Sequence, residues 1–234
     1  MKKKVLAICL AVALLAIISY STLAWFTSED AVTNTFTVGS IKIQQNEQQH
    51  DDDTGALEDF EQDQTLLPVA DPQDPTADEN YVEKIVTVSS TGENPAYVRT
   101  HIAVPTALVE ILTLDISDST NWTQAATTAT CTVKGVEYTV FSYTYGKALN
   151  KGESTDVLLE GVYLNANVDV KPNAQGVAQF CTWNDTTKAY DFYDFDITGK
   201  VSVLVATQGV QSQGFADAAA ALDSAFPNIP DFAG

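Results

Sequence analysis

The chain has 234 residues, of which 31 are Asp or Glu and 12 are Lys or Arg, so its formal net charge at pH 7 is −19. This excess of negative charge repels phosphate backbones and anionic headgroups, which argues against a nucleic-acid partner and against electrostatic binding to lipid. The length suits a single all-β domain with a substantial hydrophobic core.

The N-terminus has the composition of a secretory signal peptide. Lys2–Lys4 form a basic start, and an apolar run follows from Val5 to about Ile18. The run is shorter than the roughly 20 residues that a helix needs to cross a bilayer. We therefore predict a signal peptide at 1–24, cleaved between Ala24 and Trp25, and a secreted domain from there to residue 234. The alternative is an uncleaved segment, which would be the chain's only membrane contact.

The first predicted strand, at about residues 35–45, carries apolar residues first at even and then at odd positions, so its apolar face changes side within the strand. Gly39 lies at the change of parity, where a bulge can take up one residue. One interpretation is a bent first strand of a sandwich. The other is a strand that leaves its own sheet and completes a neighbouring subunit's sheet by β-augmentation. The residues predicted to form this assembly strand are Phe36, Val38, Gly39, Ile41 and Ile43.

An acidic insertion is predicted at about residues 46–80, which contain 12 Asp or Glu and no Lys or Arg. Its few apolar positions lack periodicity, which indicates a loop. Carboxylates in this segment are hard oxygen ligands suited to calcium, but their spacing does not match an EF-hand. A solvated surface is the favoured interpretation, and the candidate calcium ligands are Asp51, Asp53, Glu58 and Asp59.

The rest of the chain predicts an antiparallel β-sandwich with one C-terminal helix. Strands bounded by Gly, Pro, Asn and Asp are predicted at about 82–88, 96–104, 130–134, 136–145, 155–164, 177–183, 190–195 and 197–205. Residues 108–116 fit a strand or a short helix. The helix is predicted from about Gly214 to Ala225, with Phe215, Ala219, Leu222 and Phe226 on one side.

Four stretches of the chain resemble exported proteins of the TasA/camelysin type from Gram-positive bacteria. They are Trp25-Phe26-Thr27 with the segment to Ile41, Val86–Ile102, Leu149–Leu164 and Val203–Phe226. Ser90 stands where the family usually has Asn, and Lys151 stands where it has Pro. The resemblance implies a jelly-roll topology, export through a signal peptidase of the SipW class, and fibres built by donor-strand exchange.

On this resemblance we expect a secreted structural subunit of a bacterial cell-surface or biofilm matrix. Its expected partners are further copies of itself or related matrix proteins. A calcium- or glycan-binding module, using the insertion and the Asp191–Asp196 rim, is the second hypothesis. A metallopeptidase of the camelysin type is the third.

The residues give little support to catalysis. His50 and His101 are the only histidines, and neither belongs to a His-Glu-x-x-His motif. We therefore predict no catalytic residues and no cofactor, with calcium as the one candidate ion, and we expect a surface or interface role for His101. Cys131 and Cys181 would remain after cleavage, either as a disulfide or as two small buried thiols.

Overall fold

The computed structural model describes residues 27–31, 41–62, 64–195 and 201–232. The predicted signal peptide, the Ala24–Trp25 junction and three assembly residues, Phe36, Val38 and Gly39, lie outside these ranges. No helix within the described ranges is long and apolar enough to cross a membrane.

The described residues form fourteen strands, one α-helix and two short 3-10 helices at Pro75–Ala77 and Thr106–Leu108. The helix, α1, spans Ala218–Ala225. In chain order the strands are β1 (Thr27–Ala31), β2 (Ile43–His50), β3 (Leu57–Asp59), β4 (Val82–Ser90), β5 (Ala96–Pro105), β6 (Leu112–Ile116), β7 (Trp122–Gln124), β8 (Ala129–Val133), β9 (Val136–Tyr145), β10 (Leu159–Leu164), β11 (Val168–Pro172), β12 (Ala178–Asn184), β13 (Ala189–Phe192) and β14 (Leu204–Gln211).

These strands form three antiparallel sheets, which confirms the predicted all-β sandwich with one C-terminal helix. Sheet A has the order β1-β14-β5-β9-β7, with β8 also paired to β9. Sheet B has the order β3-β2-β4-β10-β6, and the small sheet C has the order β11-β12-β13. Sheets A and B pack face to face, and sheet C contributes Phe180 to a second apolar cluster.

The main core forms because β4 buries every second side chain along its length and β5 buries every second side chain from Ala96 to Thr100. Val86 and Val88 point inward from β4, while Val98 and Ile102 point inward from β5. Side chains of a strand alternate between the two faces of its sheet, so the apolar alternation in the sequence becomes one buried face in each sheet. These residues therefore hold sheets A and B together.

The acidic insertion predicted as a loop over about 46–80 is partly ordered as a hairpin. β2 continues to His50 and pairs with β3, and its inward side chains change from apolar Ile43 to polar Gln45 and Glu47. The half-buried Gln45 donates to Glu47 at 2.8 Å, and Glu47, also half-buried, forms an ion pair with the buried Lys84. The polar residues on which the loop prediction rested therefore form a network of hydrogen bonds and an ion pair inside the sandwich.

Three further predicted boundaries differ from the structure. Residues 106–116 contain both a 3-10 turn and strand β6, β10 begins at Leu159, and β14 runs from Leu204 to Gln211. The helix begins at Ala218 because the Asp217 side chain accepts a hydrogen bond from the Ala220 N–H at 2.8 Å and caps it. Its buried residues are Ala218, Ala221 and Leu222. Of the predicted apolar side, Leu222 is buried and Phe226 packs against the same cluster, whereas Phe215 and Ala219 are exposed.

Candidate functional site

Strand β1 forms one edge of sheet A. It pairs antiparallel with β14 over five residues, from Thr27 opposite Val210 to Ala31 opposite Ala206. On its other side β14 pairs with β5 along its whole length, over eight residue pairs. Within the described part of the chain, β1 is therefore the strand that covers the β14 edge.

β1 and the next described strand, β2, belong to different sheets. Nine residues outside the described ranges connect Ala31 to Ile41, and β2 then begins at Ile43 in sheet B. Ile41 and Ile43 are fully buried in the core between the two sheets. These two residues of the predicted assembly strand thus fill the chain's own core, and the edge strand lies upstream of them.

The outer face of sheet A is covered by α1 and the residues that follow it. Leu222 and Ala221 pack with Val210 of β14, and Ile229 and Phe232 pack near Tyr138 of β9. Alternation along the strands predicts that the side chains of this outer face point toward solvent. The helix and the residues after it instead bury the polar side chains there. It explains why His101 is only 2% exposed, against the surface or interface role that we predicted.

His101 lies at the centre of a hydrogen-bonded group. Its Nδ1 is 2.8 Å from Ser142 Oγ, and its Nε2 is 3.0 Å from Gln208 Oε1. The Gln208 amide nitrogen donates to the Asn228 carbonyl at 3.2 Å, which fixes the amide orientation. His101 Nε2 therefore donates to Gln208, and Nδ1 accepts from the Ser142 hydroxyl.

A cleft of about 740 Å³ opens beside this group, between α1 and the β7–β9 side of sheet A. Burial lowers the pKa of His101 to about 4, opposed by the Gln208 hydrogen bond and assisted by the Arg99 cation. Arg99 donates to Asp223 at 2.5 Å and to Thr144 Oγ1 at 3.1 Å. Asp217, the other carboxylate that lines the cleft, caps the helix.

The contacts of the His101 group differ from those of a catalytic triad. A serine next to a neutral imidazole resembles a nucleophile and its base. However, Gln208 is a neutral amide, which stabilises an imidazolium far less than the carboxylate of a catalytic triad does. Both carboxylates of the cleft already accept hydrogen bonds, Asp223 from Arg99 and Asp217 from the N-terminus of the helix. The group therefore connects β5, β9 and β14 of sheet A to Asn228, in the segment that follows α1.

The predicted calcium ligands do not converge on one point. Asp51 Oδ1 accepts from the Thr54 N–H at 2.7 Å and from its hydroxyl at 2.5 Å, and these bonds lower the pKa of Asp51. Glu58 accepts from Gln49 across the β2–β3 pair at 3.1 Å. Among the residues that the structure describes, no three His, Cys, Asp or Glu side chains are placed to hold a metal ion together.

The two cysteines of the described residues, Cys131 and Cys181, are free thiols. Cys131 lies on β8 of sheet A and is partly exposed, whereas Cys181 lies on β12 of sheet C and is buried. Desolvation raises the pKa of each thiol, which lowers its reactivity at neutral pH. Of the two interpretations of these residues, the structure corresponds to unbridged thiols rather than to the disulfide.

Comparison of the chain with models of known families, with curated proteins and with solved structures found no match. The candidate site therefore rests on the geometry of the β1–β14 edge. Sequence reasoning missed this strand because Thr-Ser-Glu-Asp-Ala has no alternation of apolar residues. Such a strand is specified by backbone pairing with a distant partner.

Proposed function

We propose that the chain is an exported structural subunit of a bacterial cell-surface or biofilm matrix, which self-associates by exchanging β1 between copies. The observation that carries the proposal is the position of β1 as the N-terminal strand at the edge of sheet A. The signal-peptide composition supports export, and the resemblance to TasA/camelysin-type proteins supports a matrix role.

Exchange of β1 is mechanically simple. β1 is hydrogen-bonded to one strand, β14, and β2, which it also contacts, keeps its own pairing with β4 in sheet B when β1 is released. The departure of β1 exposes the main-chain donors and acceptors of β14, a strand whose residues from Val205 to Gln211 are buried. An unpaired edge of this kind is a template for a strand from another copy.

The expected product is an open chain of subunits. A strand given by one copy and accepted by the next makes a head-to-tail contact, and such contacts produce filaments unless the rotation closes a ring. The same backbone hydrogen bonds exist in the closed and exchanged forms, so protein concentration determines which form dominates.

The test removes backbone donors from β1 while preserving the core. Ser28→Pro/Glu29→Pro takes two N–H groups from adjacent residues, of which at least one faces β14 in an antiparallel ladder. Ser28→Ala/Glu29→Ala is the matched control, because it truncates the same side chains and keeps both N–H groups. We expect the mature wild-type chain and the alanine control to form filaments at high concentration, and the proline variant to stay monomeric.

Electron microscopy and sedimentation velocity of the three mature proteins across a concentration series give the readout. Filaments of equal length in the proline variant would exclude β1 as the exchanged strand. A wild-type chain that stays monomeric at every concentration would overturn the proposed function. Deletions should stop before Ile41, since loss of Ile41 or Ile43 removes core residues and unfolding would then mimic lost assembly.

A further inference from the structure

Sheet C buries part of one face against the core, although Val170 on that face is 46% exposed. The opposite face is largely exposed around the buried Cys181. Val168 and Phe180 point into the apolar cluster around Leu108 and Leu164. The strand register places seven side chains on the opposite face. We call this set the aromatic face, and it consists of Asp169, Lys171, Gln179, Cys181, Trp183, Tyr190 and Phe192.

Three aromatic side chains dominate this face and remain exposed. Trp183 is 48% exposed, Phe192 is 40% exposed and Tyr190 is 37% exposed. Trp183 and Tyr190 lie directly opposite each other on neighbouring strands, with ring centroids 5.1 Å apart and ring planes at 69°. Large exposed aromatic groups on a stable sheet mark a binding surface more often than an accident of folding.

The remaining side chains of the face are hydrogen-bonding groups. Lys171 forms an ion pair with Asp169 and lies 4.9 Å from the centroid of the Tyr190 ring. Gln179 is opposite Lys171 in the register. The face contains no aliphatic side chain, whereas the buried centre of a protein–protein interface combines aromatic with other apolar groups. The composition thus favours a ligand with flat C–H surfaces and many hydroxyls.

Two ligand classes stack on exposed aromatic rings, namely nucleobases and sugar rings. A nucleic acid brings a phosphate for every base, and binding requires basic side chains to neutralise those phosphates. The chain has a net charge of −19, and the aromatic face contains one lysine already paired with an aspartate. Charge therefore excludes nucleic acid and acidic polysaccharides, and leaves an uncharged glycan.

We propose that the aromatic face of sheet C binds an uncharged polysaccharide. Sugar rings stack on Trp183 and Tyr190, while Asp169, Lys171 and Gln179 bind hydroxyl groups along the rim. This activity goes beyond assembly through β1, because sheet C and the β1–β14 edge belong to different sheets. It gives an extracellular subunit a means of attachment to a glycan layer.

The experiment measures binding of the mature protein to dextran, a β-1,3-glucan and a β-1,4-mannan by affinity electrophoresis. Trp183→Ala and Tyr190→Ala are the test variants. Phe215→Ala is the matched control, since Phe215 is 38% exposed but lies just before α1. We expect the wild type and the control to bind at least one polysaccharide, and each test variant to bind it about tenfold or more weakly.

Circular dichroism and urea unfolding of each variant establish that lost binding is not lost folding. Binding of single-stranded RNA instead of neutral glycan would overturn the proposal. So would absence of binding to all three polysaccharides, or equal binding by wild type and both test variants. If Trp183→Ala abolishes self-association while glycan binding is absent, the face is a protein contact and the proposal is wrong.

Discussion

His101 shows how a single residue depends on elements far away in the chain. Alternation along β5 places its side chain opposite the buried Ile102, so sequence reasoning assigned it to the surface. That face is then covered by α1 and the C-terminal residues, which carry Asn228 to within hydrogen-bonding reach of Gln208. The direction of the side chain was predictable from period two, but its burial was not.

The burial of His101 predicts a specific loss of stability in mild acid. The imidazole has a pKa of about 4 in the folded chain and 6.5 as its ordinary value. Between these values the unfolded chain binds a proton that the folded chain does not, so the free energy of unfolding falls as pH falls from 6.5 toward 4. The shift corresponds to about 3 kcal/mol when this window is fully crossed.

Urea unfolding at pH 7 and pH 4.5 of wild type, His101→Gln and His50→Gln measures this effect. We expect His101→Gln to lose about 2–3 kcal/mol less than wild type on acidification. The His50→Gln variant reports the contribution of the second histidine, which lies at the surface against Glu83. Carboxylates with lowered pKa values, such as Asp156, respond mainly below 3.8 and do so in all three proteins. An unchanged pH dependence in His101→Gln would show that this imidazole is not buried in the neutral form.

The β8–β9 hairpin illustrates an element whose local sequence determines its geometry. A turn near Gly135 was predicted between two apolar strands, and the structure places a two-residue loop there. Lys134 has a φ of 51° and Gly135 a φ of 84°. Two consecutive positive φ angles define a type I′ turn, whose twist matches that of the paired strands. Gly135 suits this conformation, whereas Lys134 adopts it at a steric cost.

Replacing Lys134 with Asn should therefore stabilise the protein. Asn-Gly is a preferred pair in type I′ turns because Asn tolerates the left-handed region better than Lys does. We expect Lys134→Asn to raise the free energy of unfolding by about 0.5 kcal/mol, and Gly135→Ala to lower it by about 1 kcal/mol. Urea titrations monitored by circular dichroism give both values. Stabilisation by Gly135→Ala would contradict the left-handed geometry of this turn.

A strand could be predicted from the sequence where one of its faces is buried and the other is exposed. β4 and the first half of β5 bury every second residue, and β9 buries alternate residues in two short runs. Their alternation predicted them. β1 and the second half of β2 are polar, so no period was visible. Their pairing with β14 and β4 spans long stretches of sequence, and local patterns do not encode such partners.

At the scale of the whole molecule, stability depends on how closely sheets A and B approach. Gly209 of β14 lies against Ile43 of β2, and a Cβ at this glycine would be 2.8 Å from Ile43 Cδ1. Ile43 is fully buried, so its side chain cannot swing into solvent to relieve the contact. The absence of a side chain at position 209 thus permits the terminal methyl of Ile43 to reach the opposite sheet.

This contact predicts that the effect of Gly209→Ala depends on residue 43. With Ile43 present, overpacking should destabilise the protein by about 1–2 kcal/mol, after the smaller gain from a less flexible unfolded chain. Ile43→Val alone removes the clashing methyl and should cost about 1 kcal/mol. In the Ile43→Val background the added Cβ would still lie 3.1 Å from the Cγ2 methyl, so Gly209→Ala should cost less, about 0–1 kcal/mol. The smaller cost in this background distinguishes a steric contact between sheets from an intrinsic requirement for glycine.

A double-mutant cycle with urea unfolding of the wild type, both single variants and the double variant measures this coupling. Gly161→Ala is a useful comparison, because its Cβ would meet the Tyr81 ring rather than Ile43. Its cost should be the same in the wild-type and the Ile43→Val backgrounds. If Gly209→Ala also costs the same in both, β2 and β14 do not pack through this pair. The placement of Ile43 in the chain's own core, on which the assignment of β1 as the exchangeable strand depends, would then be wrong.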